Sequence, residues 1–259
     1  MKKIHLNVMF HEGGLFSNFN KVTTFIQNTE DKIVKITWNL QGQPYGAFAY
    51  NCGEVFSKLF HDYDTGESAD EIVILNTYTD TSFTGKEVHD KYALYKWREN
   101  FNKTLKYFQP TPSLQEAQDK IEYKYVFSSN KINLIGILKR NNLLKCEQKH
   151  GQMPSLEDYY KEIDKIFDNN TYLYLAVDNS HDLNAFISKY KNCIYNPKMR
   201  RSNLCTDTEP HFTPGTAEDA LYTYLEVFTL SKCKTFIHPL SNMSTAVLYF
   251  NPSIKSIYI

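Results

Sequence analysis

The sequence has no charge bias, no long apolar run and no cysteine framework, and each absence removes a class of function. Its 29 basic and 29 acidic side chains cancel. A chain that binds mainly the nucleic-acid backbone needs clustered Lys and Arg, so no nucleic-acid partner is expected. No uninterrupted apolar stretch approaches the roughly 20 residues of a membrane span. The opening MKKIHLNVMFHEGG is too short and too polar in its apolar part for a signal peptide. These features predict a soluble, cytoplasmic protein without an integral membrane segment. Cys52, Cys146, Cys193, Cys205 and Cys233 are odd in number and irregularly spaced. With no CxxC and no Cys/His pair at ligand spacing, they read as reduced, mostly buried thiols rather than a disulfide frame or a zinc site.

What is present is an ordinary globular composition, 42% hydrophobic over 259 residues, with 19 tyrosines. Lys3 to Met9 alternates and runs into Gly13-Gly14, a strand followed by a glycine turn. Leu15 to Ile26 places apolar residues at helical spacing, and Lys32 to Trp38 is a second strand. Strand, turn, helix and strand form a βαβ unit, the building block of a parallel sheet. From Ala47 to Phe108 the pattern predicts a helix at Glu54 to Phe60, a strand at Ile72 to Leu75 and a helix over Lys91 to Phe108. Pro110, Pro112 and Ser113 mark a hinge, with a helix over Leu114 to Phe127 beyond it. This gives two domains, 1–112 and 113–259.

The second half alternates more clearly. Lys131 to Lys139 is a near-continuous apolar run, as a central parallel strand covered on both faces requires. Pro154 to Phe167 is an amphipathic helix with Ser155 as N-cap and Asp158 three residues on. Tyr172 to Val177 is a buried strand ending at Asp178. A helix at His181 to Lys191, a strand at Cys193 to Tyr195 and a long helix from Ala217 to Leu230 follow. Thr235 to His238, Met243 to Phe250 and Ser256 to Ile259 complete a doubly wound α/β pattern.

Open parallel sheets bind ligands beyond the carboxyl ends of their strands. Four polar groups occupy such places: Gly13-Gly14 to Asn18, Lys139 to Asn142, Asp178-Asn179, and His238 to Asn242. Arg140 follows the most hydrophobic strand, where a guanidinium presents a planar fork of donors suited to a diphosphate. Arg200-Arg201, Glu209 and His211 lie in a later loop, as either added pocket charge or solvated loop residues. Trp38-Asn39 and Tyr45 are either an acceptor platform or packing residues, and Asp62-Tyr63-Asp64 reads as loop rather than as a metal-binding DxD after a strand.

In order, LIGILKRNN, HGQMPSLEDYYKEIDKIF, YLYLAVDNSHDLNAF and LEVFTLSKCKTFIHPLSNMSTAVLYFNP resemble the sugar-nucleotide-binding half of a fucosyltransferase superfamily. That superfamily comprises α1,6-fucosyltransferases, nodulation fucosyltransferases and protein O-fucosyltransferases. In it a strand carries H-x-R, whose Arg contacts the GDP diphosphate; Arg140 falls on that Arg. Asp178 falls on the acid ending a second strand, Ser241-Asn242 on the turn opening the last helix, and Glu226 on a position where the family often has an Asp reaching base or ribose. Gly14 to Asn18 is similar to the family's opening loop, whose Asn approaches the donor phosphate, and its amides suit an anion. The chain departs from the pattern at Leu138, where the family has His, and at Asn141, where it has a second Arg.

The resemblance implies a GT-B-like fold of two facing Rossmann-like domains, acceptor-side first and nucleotide-sugar-binding second. It implies an inverting, metal-independent hexosyltransferase using a GDP-sugar, GDP-fucose in the family, to modify a glycan or oligosaccharide in polysaccharide biosynthesis. No cofactor or metal is then expected; Arg140 stabilises the departing diphosphate. Inversion needs a group to take the acceptor proton, for which Glu12 and His11 are both candidates. Two alternatives stand beside this reading: another nucleotide sugar as donor, or a non-catalytic nucleotide- or glycan-binding module derived from such an enzyme.

Overall fold

The computed structural model describes residues 1–10, 15–39, 52–76, 102–126, 132–140, 153–202 and 216–259. The chain divides into two compact units, Met1–Ala117 with Pro214–Leu221, and Gln118–Thr213 with Tyr222–Ile259. Each carries its own sheet, and both sheets are mostly parallel.

In the first unit, β1 (Lys3–Met9) lies between β2 (Lys32–Trp38) and β4 (Glu71–Asn76), parallel to both, and β3 (Tyr63–Asp64) adds antiparallel to β2. Alternate burial along β1 puts Ile4, Leu6 and Val8 into the core. Helix α1 (Leu15–Asn28) buries Phe16, Phe19, Val22 and Ile26 at helical spacing. Helix α2 (Cys52–Leu59) contributes Val55 and Phe56. Phe10, Trp38, Phe56, Phe60, Phe108 and Phe19 form one aromatic cluster, with Trp38 and Phe108 stacked at 5.7 Å. Trp38 donates its indole N–H to the His61 carbonyl at 3.1 Å. The buried Trp38 is therefore packing, not acceptor platform.

Two sequence expectations change here. Asp62-Tyr63-Asp64 is not wholly loop, because β3 closes one edge of the sheet. Its acids are structural: Asp62 accepts from the Trp38 backbone N–H, and Asp64 pairs with Lys35 and accepts from Gly66 N–H. Of the helix predicted over Lys91 to Phe108, the described part is helical only at α3 (Asn102–Leu105) before a turn into Phe108.

The second unit opens with α4 (Pro112–Ile121), whose last residues fall in it, followed by one π-helical turn at Glu122–Val126 instead of continued α-helix. Its five-stranded sheet is parallel throughout, in the order β7-β6-β5-β8-β9. The strands are β5 (Asn133–Lys139), β6 (Thr171–Val177), β7 (Cys193–Ile194), β8 (Thr235–His238) and β9 (Lys255–Tyr258). Strand β5 is central, buried from Leu134 to Lys139. On one face Ile135 and Ile137 meet α5 (Leu156–Ile163) and α6 (Ser180–Lys189) through Tyr159, Ile163, Leu183 and Phe186. The other face carries Gly136, against which α7 (Ala217–Ser231) presses Leu230, with Cys233 beyond it. Helix α8 (Asn242–Phe250) follows β8. The capping box read from Ser155 and Asp158 is present in α5, with the Ser155 hydroxyl accepting from Asp158 N–H and the Asp158 carboxylate accepting from Ser155 N–H. Among the described residues, no helix is long and apolar enough to cross a membrane.

Gly136 lets α7 approach β5. A Cβ there would sit 2.9 Å from Leu230 Cδ2 and 3.1 Å from Cys233 Sγ. Gly136→Val keeps a strand-favouring residue but overfills this contact, and is expected to cost about 1–3 kcal/mol in urea denaturation. An unchanged midpoint would show that the helix is not held against the strand.

Candidate functional site

Beyond β5 the order of strands reverses: the chain moves outward through β6 and β7, then returns to the other side of β5 with β8 and β9. The gap between the carboxyl ends of β5 and β8 is a topological switch point, where parallel sheets leave a crevice for ligands. Arg140 directly follows β5, and Ser241-Asn242 open α8 just beyond Pro239-Leu240 at the end of β8.

The end of β5 is held from the α5 and α6 side. Tyr159 donates its hydroxyl to the Leu138 carbonyl at 2.7 Å. Lys139 pairs with Asp182 at 2.9 Å, both buried, while Asn179 caps α6 by accepting from Asp182 N–H. Removing either charge of such a buried pair strands the other, at a cost of about 3–5 kcal/mol. This pair thus fixes the strand end from which Arg140 departs.

Arg140 keeps 17% of its side chain exposed. Its Nε lies 3.1 Å from Asp178 Oδ2, close enough for an ion pair but without hydrogen-bond alignment. Its Nη1 touches Met243 Sδ in the first turn of α8. The guanidinium therefore spans the switch point, from the end of β6 to the start of the last helix.

Arg201 reaches the same region from the segment after β7. Ser202 donates its N–H to the Asp178 carbonyl at 3.0 Å, and Ser180 returns one to the Ser202 carbonyl at 2.8 Å. This bridge lays the segment along the end of β6. There Arg201 donates to the carbonyls of Val177, Asn196 and Met199. Its remaining nitrogen, Nη2, faces Glu226 Oε1 of α7 at 3.6 Å, too far for a hydrogen bond. Both atoms are buried and lack a hydrogen-bond partner. Glu226 is only 3% exposed. Burial pushes its carboxyl from 4.5 up to about 8, the charges of Arg201 and then Arg140 pull it back, and Asp178 adds to the rise.

Ser241 is buried, and its hydroxyl is committed to a capping box: it accepts from Ser244 N–H at 3.0 Å, and Ser244 accepts from Ser241 N–H at 2.8 Å. It shapes the helix start, while Asn242 is exposed there. His238, at the end of β8, is turned toward Ser256 of β9. Asn18 lies fully buried within α1 of the first unit. Gly14, His11, Glu12, Tyr45, Glu209 and His211 lie outside the described residues, as does Asn141.

The structure thus brings Arg140, Asp178 and Glu226 into one charged cluster and sets Ser241-Asn242 across the switch point. Arg201 is the member for which the sequence leaves added pocket charge and a solvated loop equally open. Only its contact with β6, made through backbone carbonyls, marks it out, and no side-chain motif records that. Met243 carries no signal of its own in the sequence, being one apolar residue of a helix buried from Met243 to Tyr249.

No protein-family model matches the chain, and no curated protein matches it. Solved structures of a fucosyltransferase are similar to it. One is Se-Met fucosyltransferase NodZ from Bradyrhizobium, at 12% identity, TM-score 0.49, and coverage of 97% of this chain and 92% of that one. NodZ α-1,6-fucosyltransferase co-crystallised with GDP is 12% identical at TM-score 0.48, covering 97% and 93%. The same enzyme soaked with GDP-fucose is 13% identical at TM-score 0.46, again covering 97% and 93%.

Glu226 gives the site a stability signature. Its folded value is raised, so between pH 4.5 and about 8 the folded protein holds a proton that the unfolded chain has released. The stabilisation is complete below 4.5 and is lost as pH rises through about 8. Glu226→Gln cannot lose that proton. Its unfolding free energy should gain on the wild type's progressively from pH 5 to about pH 8, by a margin on the order of a few kcal/mol in calorimetry. Parallel profiles would place the carboxylate in water.

Proposed function

We propose that the second unit binds a nucleoside-diphosphate sugar, with the diphosphate at the switch point against Arg140, and that the protein is a glycosyltransferase. The observation that carries this reading is Arg140 at the carboxyl end of the central strand, reaching the first turn of α8. A diphosphate there meets a planar guanidinium and the positive end of a helix dipole together. Charge that develops on the diphosphate as the glycosidic bond breaks is stabilised by the same two features, a role that requires no bound cofactor. The order of the strand-end motifs supports GDP as the nucleotide and a GDP-sugar, GDP-fucose in the resembled family, as donor. A GT-B arrangement, inversion at the anomeric carbon, a glycan or oligosaccharide acceptor and metal independence belong to the same proposal. Glu12 and His11 stand as the candidate bases on the acceptor side and Gly14 as part of the loop toward the phosphate, whereas Asn18, buried in α1, does not serve that loop.

Leu138 favours a second reading, binding without turnover. Where the family has His, its side chain is buried in the sheet, and its carbonyl accepts from the Tyr159 hydroxyl. Incubation with a panel of nucleotide sugars and glycan acceptors separates the two readings, since only a transferase releases the nucleoside diphosphate in step with a glycosylated product.

The diphosphate site is tested with GDP, UDP, CDP and ADP by calorimetry. GDP is expected to bind best to the wild type. Arg140→Ala should weaken it on the order of 100-fold, the loss of two charge-assisted hydrogen bonds. Arg140→Lys should recover only part, since the charge returns without the fork. No binding of any of the four to wild type, or equal binding to all three proteins, removes the proposal.

A further inference from the structure

The charges around Arg140 pose a problem for an anion site. Two guanidiniums, Arg140 and Arg201, meet two carboxylates, Asp178 and Glu226. With both carboxylates ionised the cluster is neutral and offers a diphosphate no net attraction. Glu226 is also enclosed, with Oε1 lacking any hydrogen bond and Arg201 Nη2 stopping at 3.6 Å. A carboxylate sealed away from water is a poor anion unless fully hydrogen-bonded, and this one is not.

We infer that Glu226 is a positioning residue that sets the charge of the diphosphate pocket: with its proton it leaves the positive charge of Arg201 and Arg140 to act on the nucleotide, and without it it offsets that charge. The inference rests on the diphosphate reading above, and deepens it by giving that site a proton-linked control. The charged groups facing Glu226 are Arg201 from the segment after β7, Arg140 from the end of β5 and Asp178 from the end of β6. On α8, the neighbour touching Arg140 is the uncharged Met243. The acid tips this balance because Asp178 already pairs with Arg140, whereas the fourth nitrogen contact of Arg201 is unmade. Glu226 does not touch the ligand in this account; it acts through the two arginines. Burial sets the range over which it responds, holding the proton up to about pH 8.

The test is the dissociation constant of GDP from pH 7 to pH 9 for the wild type, Glu226→Gln and Glu226→Met, by calorimetry in two buffers of different ionisation enthalpy. GDP's own titration is common to all three proteins and cancels. Wild type should weaken about fivefold between pH 8 and pH 9 relative to Glu226→Gln, taking up a proton on binding, as linkage to a single group with a free value of about 8 requires. Glu226→Gln and Glu226→Met should follow a common, shallower profile without that proton uptake, whatever their absolute affinity. A purely structural Glu226 would shift affinity equally at every pH, and parallel profiles therefore overturn the inference while leaving the diphosphate site standing. Failure of wild type to bind GDP at any pH overturns both, and that outcome is distinct from parallel profiles.

Discussion

The burial of β5 on both faces is the constraint on which the second unit depends. A strand that presents Ile135 and Ile137 to α5 and α6, and Gly136 to α7, has no freedom to slide or turn. A one-residue slip would exchange the two faces and drive Leu138 and Leu134 into the space shaped for isoleucines. The hydrogen bond from Tyr159 to Leu138 and the buried Lys139–Asp182 pair then fix the end of the strand. Arg140 is the first residue released from those restraints. Its side chain is consequently aimed by the core rather than by its own contacts.

The energetics of the site differ from those of the core. Hydrophobic packing around β5 is redundant, spread over many side chains of similar worth. The charged cluster is sparse, and several of its polar atoms lack hydrogen bonds. Buried ions without full hydrogen bonding tend to cost stability rather than supply it, so this arrangement is not explained as a fold-stabilising device. The unmade bonds of the two arginines suit the proposed diphosphate in sign, whereas that of Glu226 does not unless the acid holds its proton. At the end of β2 in the first unit, by contrast, Trp38 is hydrogen-bonded to His61 and Asp62 within an aromatic core.

Much of the fold was legible in the sequence because strands and helices bury different periods. Lys3–Met9, Lys32–Trp38 and Thr235–His238 have the predicted bounds, and α5 has the predicted cap. The errors fall where periodicity carries little information. The two-residue β3 is too short to alternate, and the end of α4 opens into a π-helical turn that apolar spacing does not distinguish from α-helix. Arg140 and Asp178 were legible as site candidates since each ends a strongly apolar strand, and strand ends are where parallel sheets meet ligands. For Arg201 the sequence left pocket charge and solvated loop open, because its place follows from backbone hydrogen bonds between Ser202 and Asp178, and backbone groups leave no trace in composition.

The sequence by itself determined two alternating α/β segments, a fully buried central strand in the second, and a guanidinium at that strand's end. These are consequences of local pattern: apolar run length, helical spacing and the residue that stops each run. Only the tertiary structure decided which strand lies beside which, and hence that β5 and β8 flank the switch point. It also decided that Glu226, fifteen-residue helix α7's buried acid, faces Arg201 rather than solvent. Burial and charge pairing are properties of neighbours distant in the chain, so an acid's proton, and with it the charge offered to a ligand, is settled by packing.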